Sequence, residues 1–131
     1  MRSRYSAFCQ GNVDYLLSTH HPNNRSENER ESLKQNVQQT QWTNLIVVKT
    51  QKGQRKDKTG TVEFVAAYRP FSLLEPQNSI GKIEQLHERS RFIRDSREWF
   101  YTDGDRLPDY VPKRSQLCWC GSDKPFKHCH G

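Results

Sequence analysis

Apolar positions recur along this chain first at helical spacing and later at strand spacing. Between Ser3 and Cys9, the residues Tyr5, Phe8 and Cys9 fall on one side of a helix. Gly11 interrupts that run, and Asn12 is placed to cap a second helix carrying Val13, Leu16 and Leu17. The second helix is predicted to stop near His21-Pro22, because the residue before a proline is pushed out of the helical region. Ser26 and Glu29 have the spacing of a capping box. The helix they would open has only Leu33 and Val37 on its apolar side before Trp42, which predicts a surface helix.

From Trp42 onward the character changes. Leu45-Ile46-Val47-Val48 is rich in β-branched residues and reads as a strand, with a long hairpin loop from Gln51 to Gly60. Thr61 to Arg69 alternates, placing Val62, Phe64, Ala66 and Tyr68 on one face, and Pro70 ends it. Leu73 to Gly81 is expected to be a connection. Lys82 to Asp95 forms a third extended segment with Leu86, Glu88, Ser90 and Phe92 on one face. Glu98 to Thr102 forms a fourth, with Trp99 and Tyr101 together. Helices first and strands afterwards predict an α+β fold, with helices packed on one face of an antiparallel sheet. Pro108 and Pro112 break the segment that follows, which divides the chain into a domain (1–104), a linker (105–116) and a terminal module (117–131).

Composition adds limits. A chain of 131 residues supports one core, and 32% hydrophobic content is offset by three Trp, five Tyr and six Phe. No run approaches the roughly 18 apolar residues of a membrane span, and no apolar stretch follows the basic residues at the start, so neither insertion nor secretion is indicated. A cytoplasmic location is the expectation. Thiols stay reduced there, so three cysteines within the last fourteen residues read as metal ligands, while Cys9 stands alone. The formal charge of +6 is spread from Arg2 to Lys127. It supports only weak, salt-sensitive attraction to nucleic acid.

The terminal stretch has the spacing C-x-C-x8-C-H. Cys118 and Cys120 can reach one ion if the backbone turns at once, and Gly121 gives the freedom for that turn. Pro125 is placed to start a single helical turn that returns Cys129 and His130 to the same ion. His128 is a rival fourth ligand that spacing alone does not exclude. Asp123 reads as a turn residue tolerating a left-handed conformation. Three thiolates and one imidazole make a closed tetrahedral set suited to structural Zn2+, which argues against metal catalysis.

These fourteen residues resemble the SEC-C zinc motif, named from the tail of the SecA translocation ATPase, which usually reads C-P-C-G-S-G-K-x-[YF]-K-x-C-[CH]-G. The chain departs from it at Trp119 for Pro and at Asp123 for Gly. The resemblance assigns zinc to Cys118, Cys120, Cys129 and His130. The rest of the chain resembles the YchJ family of bacterial proteins through Met1-Arg2-Ser3-Arg4-Tyr5-Ser6-Ala7-Phe8, Asp14-Tyr15-Leu16, Glu63-Phe64-Val65-Ala66, His87-Glu88-Arg89-Ser90-Arg91-Phe92 and Trp99-Phe100-Tyr101-Thr102-Asp103-Gly104. That resemblance implies a cystatin-like roll like that of nuclear transport factor 2, with a curved sheet around helices and a conical pocket. Family members typically carry a second SEC-C motif upstream of the Arg-Ser-Arg-Tyr segment in which this sequence starts, so the resemblance implies either a sequence that begins late or a protein with a single knuckle.

Within the roll, Glu88 and Ser90 fall on the inward face of their strand and are pocket candidates, and the acid would need a partner such as Arg91, Arg69 or His87 to stay charged. Arg2 and Arg4 read as solvated charges, and His20-His21 as a helix terminus. No nucleophile–base pair, phosphate loop or paired carboxylate is legible. The expected function is therefore that of a non-enzymatic zinc-binding protein. In SecA the similar knuckle recruits the SecB chaperone, so the resemblance implies a protein partner, with Lys124 and Lys127 as a rim and Trp119 and Phe126 either as apolar contacts or packed on the metal loop or domain. The alternatives are a small-molecule carrier or enzyme using the pocket around Glu88, and weak nucleic-acid binding.

Overall fold

In the computed structural model, which describes residues 1–70 and 82–131, Gly11 separates two helices, α1 (Arg2–Gln10) and α2 (Val13–Ser18). Gly11 takes a left-handed φ of 72°, and its N–H closes the first helix on the carbonyls of Ala7 and Phe8. Asn12 caps the second, its side chain accepting from the Tyr15 amide at 3.1 Å. That helix ends at Ser18, before the expected His21-Pro22, because the chain is captured by the sheet: Tyr101 N donates to Thr19 O and His21 N to Tyr101 O, both at 2.8 Å.

The third helix, α3 (Glu29–Gln39), begins without the expected capping box. Asn28 stands at its N-cap with no side-chain bond, and only the Ser26 carbonyl is used, accepting from Glu29 N at 3.3 Å. The Glu29 carboxylate pairs instead with Nδ1 of His20, a partly buried ring whose Nε2 faces the Thr102 carbonyl. His21 similarly meets Asp95 at 3.0 Å. The two histidines thus fasten the helical layer to the sheet, a role beyond the simple helix terminus expected.

The sheet runs β1 (Thr40–Lys52), β2 (Thr59–Pro70), β3 (Glu84–Asp95) and β4 (Glu98–Arg106), antiparallel and in sequence order. This is the expected α+β arrangement. The connection expected over Leu73 to Gly81 lies outside the described residues. The first hairpin loop is shorter than expected, since pairing continues as far as Lys52 with Gly60. Bulges interrupt β1 at Thr43 and Val48, and Thr102 is bulged out of β4 where Phe92 pairs with Tyr101.

Alternation in β2 predicts one buried face, yet Phe64, Val65, Ala66 and Ala67 are all at most 3% exposed. Phe64 and Ala66 face the helices, whereas Val65 and Ala67 lie under Cys118, Trp119 and Cys120 on the opposite, outer face. A strand covered on both sides needs a continuous apolar run, and this one has it.

The segment 105–116 follows that outer face. β4 continues past the expected boundary at Gly104 to Arg106, and Leu107 N then donates to His87 O at 2.8 Å. His87 places Nδ1 2.7 Å from Pro108 O and Nε2 2.8 Å from Glu63, so its ring bridges the segment after β4 and β2. Buried Gln85 exchanges two side-chain bonds with the backbone of Tyr110, accepting from its N at 2.6 Å and donating to its O at 3.1 Å. The proline-containing stretch is thereby clamped to β3 as a strap.

Ala67 is small where Trp119 is large, so enlarging it tests the covered face. Ala67→Leu is expected to cost about 1–3 kcal/mol by overpacking, read as a lower urea midpoint with unchanged slope. An unaltered midpoint would place Trp119 away from β2.

Candidate metal centre and concave pocket

The tail folds back on itself through short backbone bonds. Cys118 N donates to Lys124 O and Phe126 N to Gln116 O, each at 2.8 Å, so the two halves of the loop lie side by side. Gly121 turns the chain with φ of 86°, and Asp123 takes the expected left-handed φ of 65°. Pro125 precedes a single 3-10 turn, Phe126–His128, that delivers Cys129 and His130.

The ligating atoms of Cys118, Cys120, Cys129 and His130 all lie within 4.8 Å of one another. His130 Nδ1 sits 3.2 Å from Cys118 Sγ and 3.3 Å from Cys129 Sγ, and Cys120 Sγ is 3.5 Å from Cys129 Sγ. Bonds of about 2.0–2.3 Å to one tetrahedral ion would set ligand atoms about 3.3–3.8 Å apart, so the set fits a metal once the short pairs open slightly and the wider ones, which reach no further than 4.8 Å, draw in. Among the described residues no other such cluster occurs, and His128 takes no part in this one. Burial pushes the Cys118 thiol up. A cation beside it reverses that preference. For Cys120, burial also pushes up, but hydrogen bonds from the Ser122 side chain and backbone, together with its cysteine neighbours, leave it lowered.

Trp119 joins this centre to the sheet. Its ring lies 4.7 Å from that of His130, centroid to centroid and tilted by 34°, and it is 7% exposed against Val65 and Ala67. Its carbonyl accepts from Asn44 Nδ2 at 3.0 Å. Trp119 is therefore a packing residue, the second of the two roles expected for it. Phe126 is half-buried against the same cluster, while Lys124 and Lys127 are exposed.

On the concave face a cavity of about 210 Å3 opens between the helices and the sheet. Glu88 and Ser90 line it, as their strand position predicts, and Ser90 donates to Glu88 Oε2 at 2.8 Å. Gly104 pairs with Ser90 across the sheet, and a Cβ there would fall 2.8 Å from the Glu88 carboxyl carbon, so a side chain at 104 would displace the carboxylate. Arg91 is not brought to this cavity. It holds Asp103 and Asp105 at 2.8 and 2.6 Å on the surface, keeping both carboxyls below the usual range.

Arg4 does reach the cavity, contrary to the expectation of a solvated charge. It is 8% exposed, donates to Leu16 O at 2.9 Å and to Thr19 Oγ1 at 2.5 Å, and stands 4.8 Å from the Tyr101 ring centre. Arg2 stays exposed. Charge counting hides Arg4; its position one residue before Tyr5 and four before Phe8, on the buried side of α1, was the available signal. Burial, followed by the nearby Glu88, pushes the Tyr101 hydroxyl up to about 12.

Comparison with known proteins agrees with both halves. The family described as YchJ, middle NTF2-like domain, matches residues 1–104, and the SEC-C motif matches residues 114–131. The chain is 37% identical to a UPF0225 protein of Serratia proteamaculans over 131 residues, covering all of this chain and 78% of that protein. It is 40% identical to one from Photorhabdus laumondii, covering all of this chain and 79% of that protein. A SEC-C motif containing protein from Rhodopseudomonas palustris, solved in solution, superposes with a TM-score of 0.68 at 27% identity, over 82% of this chain and 76% of that one. A crystal structure of a SEC-C motif containing protein from Psychrobacter arcticus has a TM-score of 0.57 at 24% identity, covering 99% of this chain and 70% of the other.

Two outcomes are expected. Gly121→Ala combines a left-handed backbone with a Cβ 3.1 Å from Asn44, and should destabilise the tail by about 1 kcal/mol or more, measured by amide exchange between Cys118 and Gly131. Arg91→Ala should lower stability slightly at neutral pH. The Asp103 and Asp105 contribution is present above the unfolded carboxylate pKa and lost as pH falls through their depressed folded values, so the gap from the parent should close in acid denaturation.

Proposed function

The chain belongs to the YchJ family of UPF0225 proteins, and on that premise we propose that it is a non-enzymatic zinc-binding protein whose metal-held C-terminus docks another protein. The observation that carries this reading is the convergence of three thiols and one imidazole within 4.8 Å. That donor set favours Zn2+ over hard oxygen-seeking cations, and four protein ligands leave no position for a reacting water. Zinc bound there would offset most of the thiolate charge and hold the returning turn in place. Thiolate ligation suits a reducing compartment, and we place the protein in the cytoplasm on that ground. No helix among the described residues is long and apolar enough to cross a membrane.

The docking surface on this reading is the outward side of the knuckle, since Trp119 is spent on the sheet. Lys124, Lys127 and His128 are exposed there, around half-buried Phe126. A basic rim around one aromatic edge suits an acidic segment of a protein partner.

Elemental analysis of protein purified without chelator should return one zinc per chain. Cobalt substitution should give the visible bands of a tetrahedral thiolate site. Because Trp119 ties the centre to β2, chelation should lower the melting temperature of the whole chain as well as release its tail. Reversing the charge of both Lys124 and Lys127 should abolish partner capture from lysate at unchanged zinc content. Capture that survives in these variants, or a zinc content near zero, rejects the reading.

A further inference from the structure

The concave cavity has polar groups that neither the fold nor the metal centre uses. Its walls are mostly aromatic and aliphatic: Tyr5 and Phe8 from α1, Phe64 and Ala66 from β2, and Leu86 from β3. Trp42 and Asn36 also line it, and each keeps a buried polar atom without a partner among the described residues, the indole Nε1 donor and the Oδ1 acceptor. Leaving a buried donor or acceptor unsatisfied is costly, and each orphaned group in a folded protein calls for an occupant or a role. Both orphans border the same cavity.

Charge narrows what fits. Arg4 faces the cavity as a cation and Glu88 as an anion, and no carboxylate lies within ion-pair distance of Arg4 among the described residues. Nη1 of Arg4 is committed to Leu16 O and Thr19 Oγ1 and its guanidinium sits over Tyr101, so an anion drawn to its remaining N–H groups would also feel the Glu88 carboxylate, whose charge acts on Arg4. Glu88 Oε2 already accepts from Ser90. A charged ligand of either sign would meet its like, whereas an uncharged one would meet neither penalty. The aromatic walls favour a flat body, as Trp42 already stacks at a tilt between Phe8 and Tyr68 with centroids 5.8 and 5.2 Å away.

We propose that this cavity binds a small, uncharged, planar molecule whose polar edge carries both a hydrogen-bond acceptor and a hydrogen-bond donor, as an aromatic carboxamide or a nucleobase-like cyclic amide does. The acceptor takes the Trp42 indole N–H and the donor is taken by Asn36 Oδ1, so one planar edge satisfies both orphans. The site lies on the face of the sheet opposite the metal centre, and it stands or falls independently of the docking role.

The probe is benzamide, with benzoate and benzylamine as its anionic and cationic counterparts of nearly the same shape, titrated into the 131-residue chain as purified. With three tryptophans the chain carries three indole N–H groups, each assignable by its Trp→Phe variant, so the site reports on itself. Benzamide should move the Trp42 resonance and leave those of Trp99 and Trp119 in place, with either charged counterpart at least tenfold weaker. Trp42→Phe keeps the ring contacts and removes only the donor; it should weaken benzamide at least tenfold while retaining the parent melting temperature to within a few degrees. Asn36→Leu should weaken it similarly. The proposal is overturned if the Trp42 signal does not move at millimolar benzamide, if benzoate binds as well as benzamide, or if Trp42→Phe binds unchanged. It is equally overturned if Asn36→Leu alone displaces the free Trp42 resonance while benzamide moves nothing, since the two side chains would then satisfy each other.

Discussion

Everything in this molecule leans on one strand that is covered from both sides. Phe64 and Ala66 of β2 look toward the helices and Val65 and Ala67 toward the knuckle, so the same four consecutive residues are shared by two layers. Neither layer is thick. The helical layer has few fully buried members, chiefly Ala7 and Leu16, with Arg4 among them, and the terminal loop is too short for a core of its own. Each layer is stable only because the sheet is already there, and the sheet keeps its middle dry only because both are present.

This arrangement explains where sequence reasoning succeeded and where it stopped. Metal-ligand spacing is a local constraint, so Gly121, Asp123, Pro125 and the Cys-His return could be read from fourteen letters. Strand and helix identities followed from periodicity for the same reason. The knuckle's seat on the sheet is a non-local fact. Its signal was the pair Val65 and Ala67 at positions that an open outer face would fill with polar side chains, together with a tryptophan where the motif usually has proline. Composition pointed the other way for 105–116, because prolines and charges resemble those of a free linker. The backbone groups of such a segment can still be claimed by buried side chains, and Gln85 and His87 do so.

The polar residues were the hardest to place for a related reason. Glu29 has the spacing to cap its own helix, and spacing says nothing of His20, which competes for the carboxylate. Arg4 looks like a surface charge until α2 supplies the Leu16 carbonyl and the Thr19 hydroxyl that make its burial tolerable. Arg91 was grouped with Glu88 because the two are near in sequence. A strand sends such residues to different faces when their separation is odd, and Arg91 finds two aspartates on the next strand instead.

A tryptophan in place of proline between the first two cysteines has a bearing on portability. Motifs of this kind are often treated as interchangeable cassettes, cut from one protein and spliced onto another. Here the indole that packs on the His130 ring is itself supported by Val65 and Ala67. Transplanted without that strand, the cassette would carry a bare tryptophan and a ligand histidine with nothing behind it, and would aggregate or lose its grip on metal. Conversely, a foreign cassette with proline at this position, installed on this sheet, would leave two aliphatic side chains wet. The unit that can be moved between proteins is the loop together with the strand it sits on, which are more than 50 residues apart in the gene.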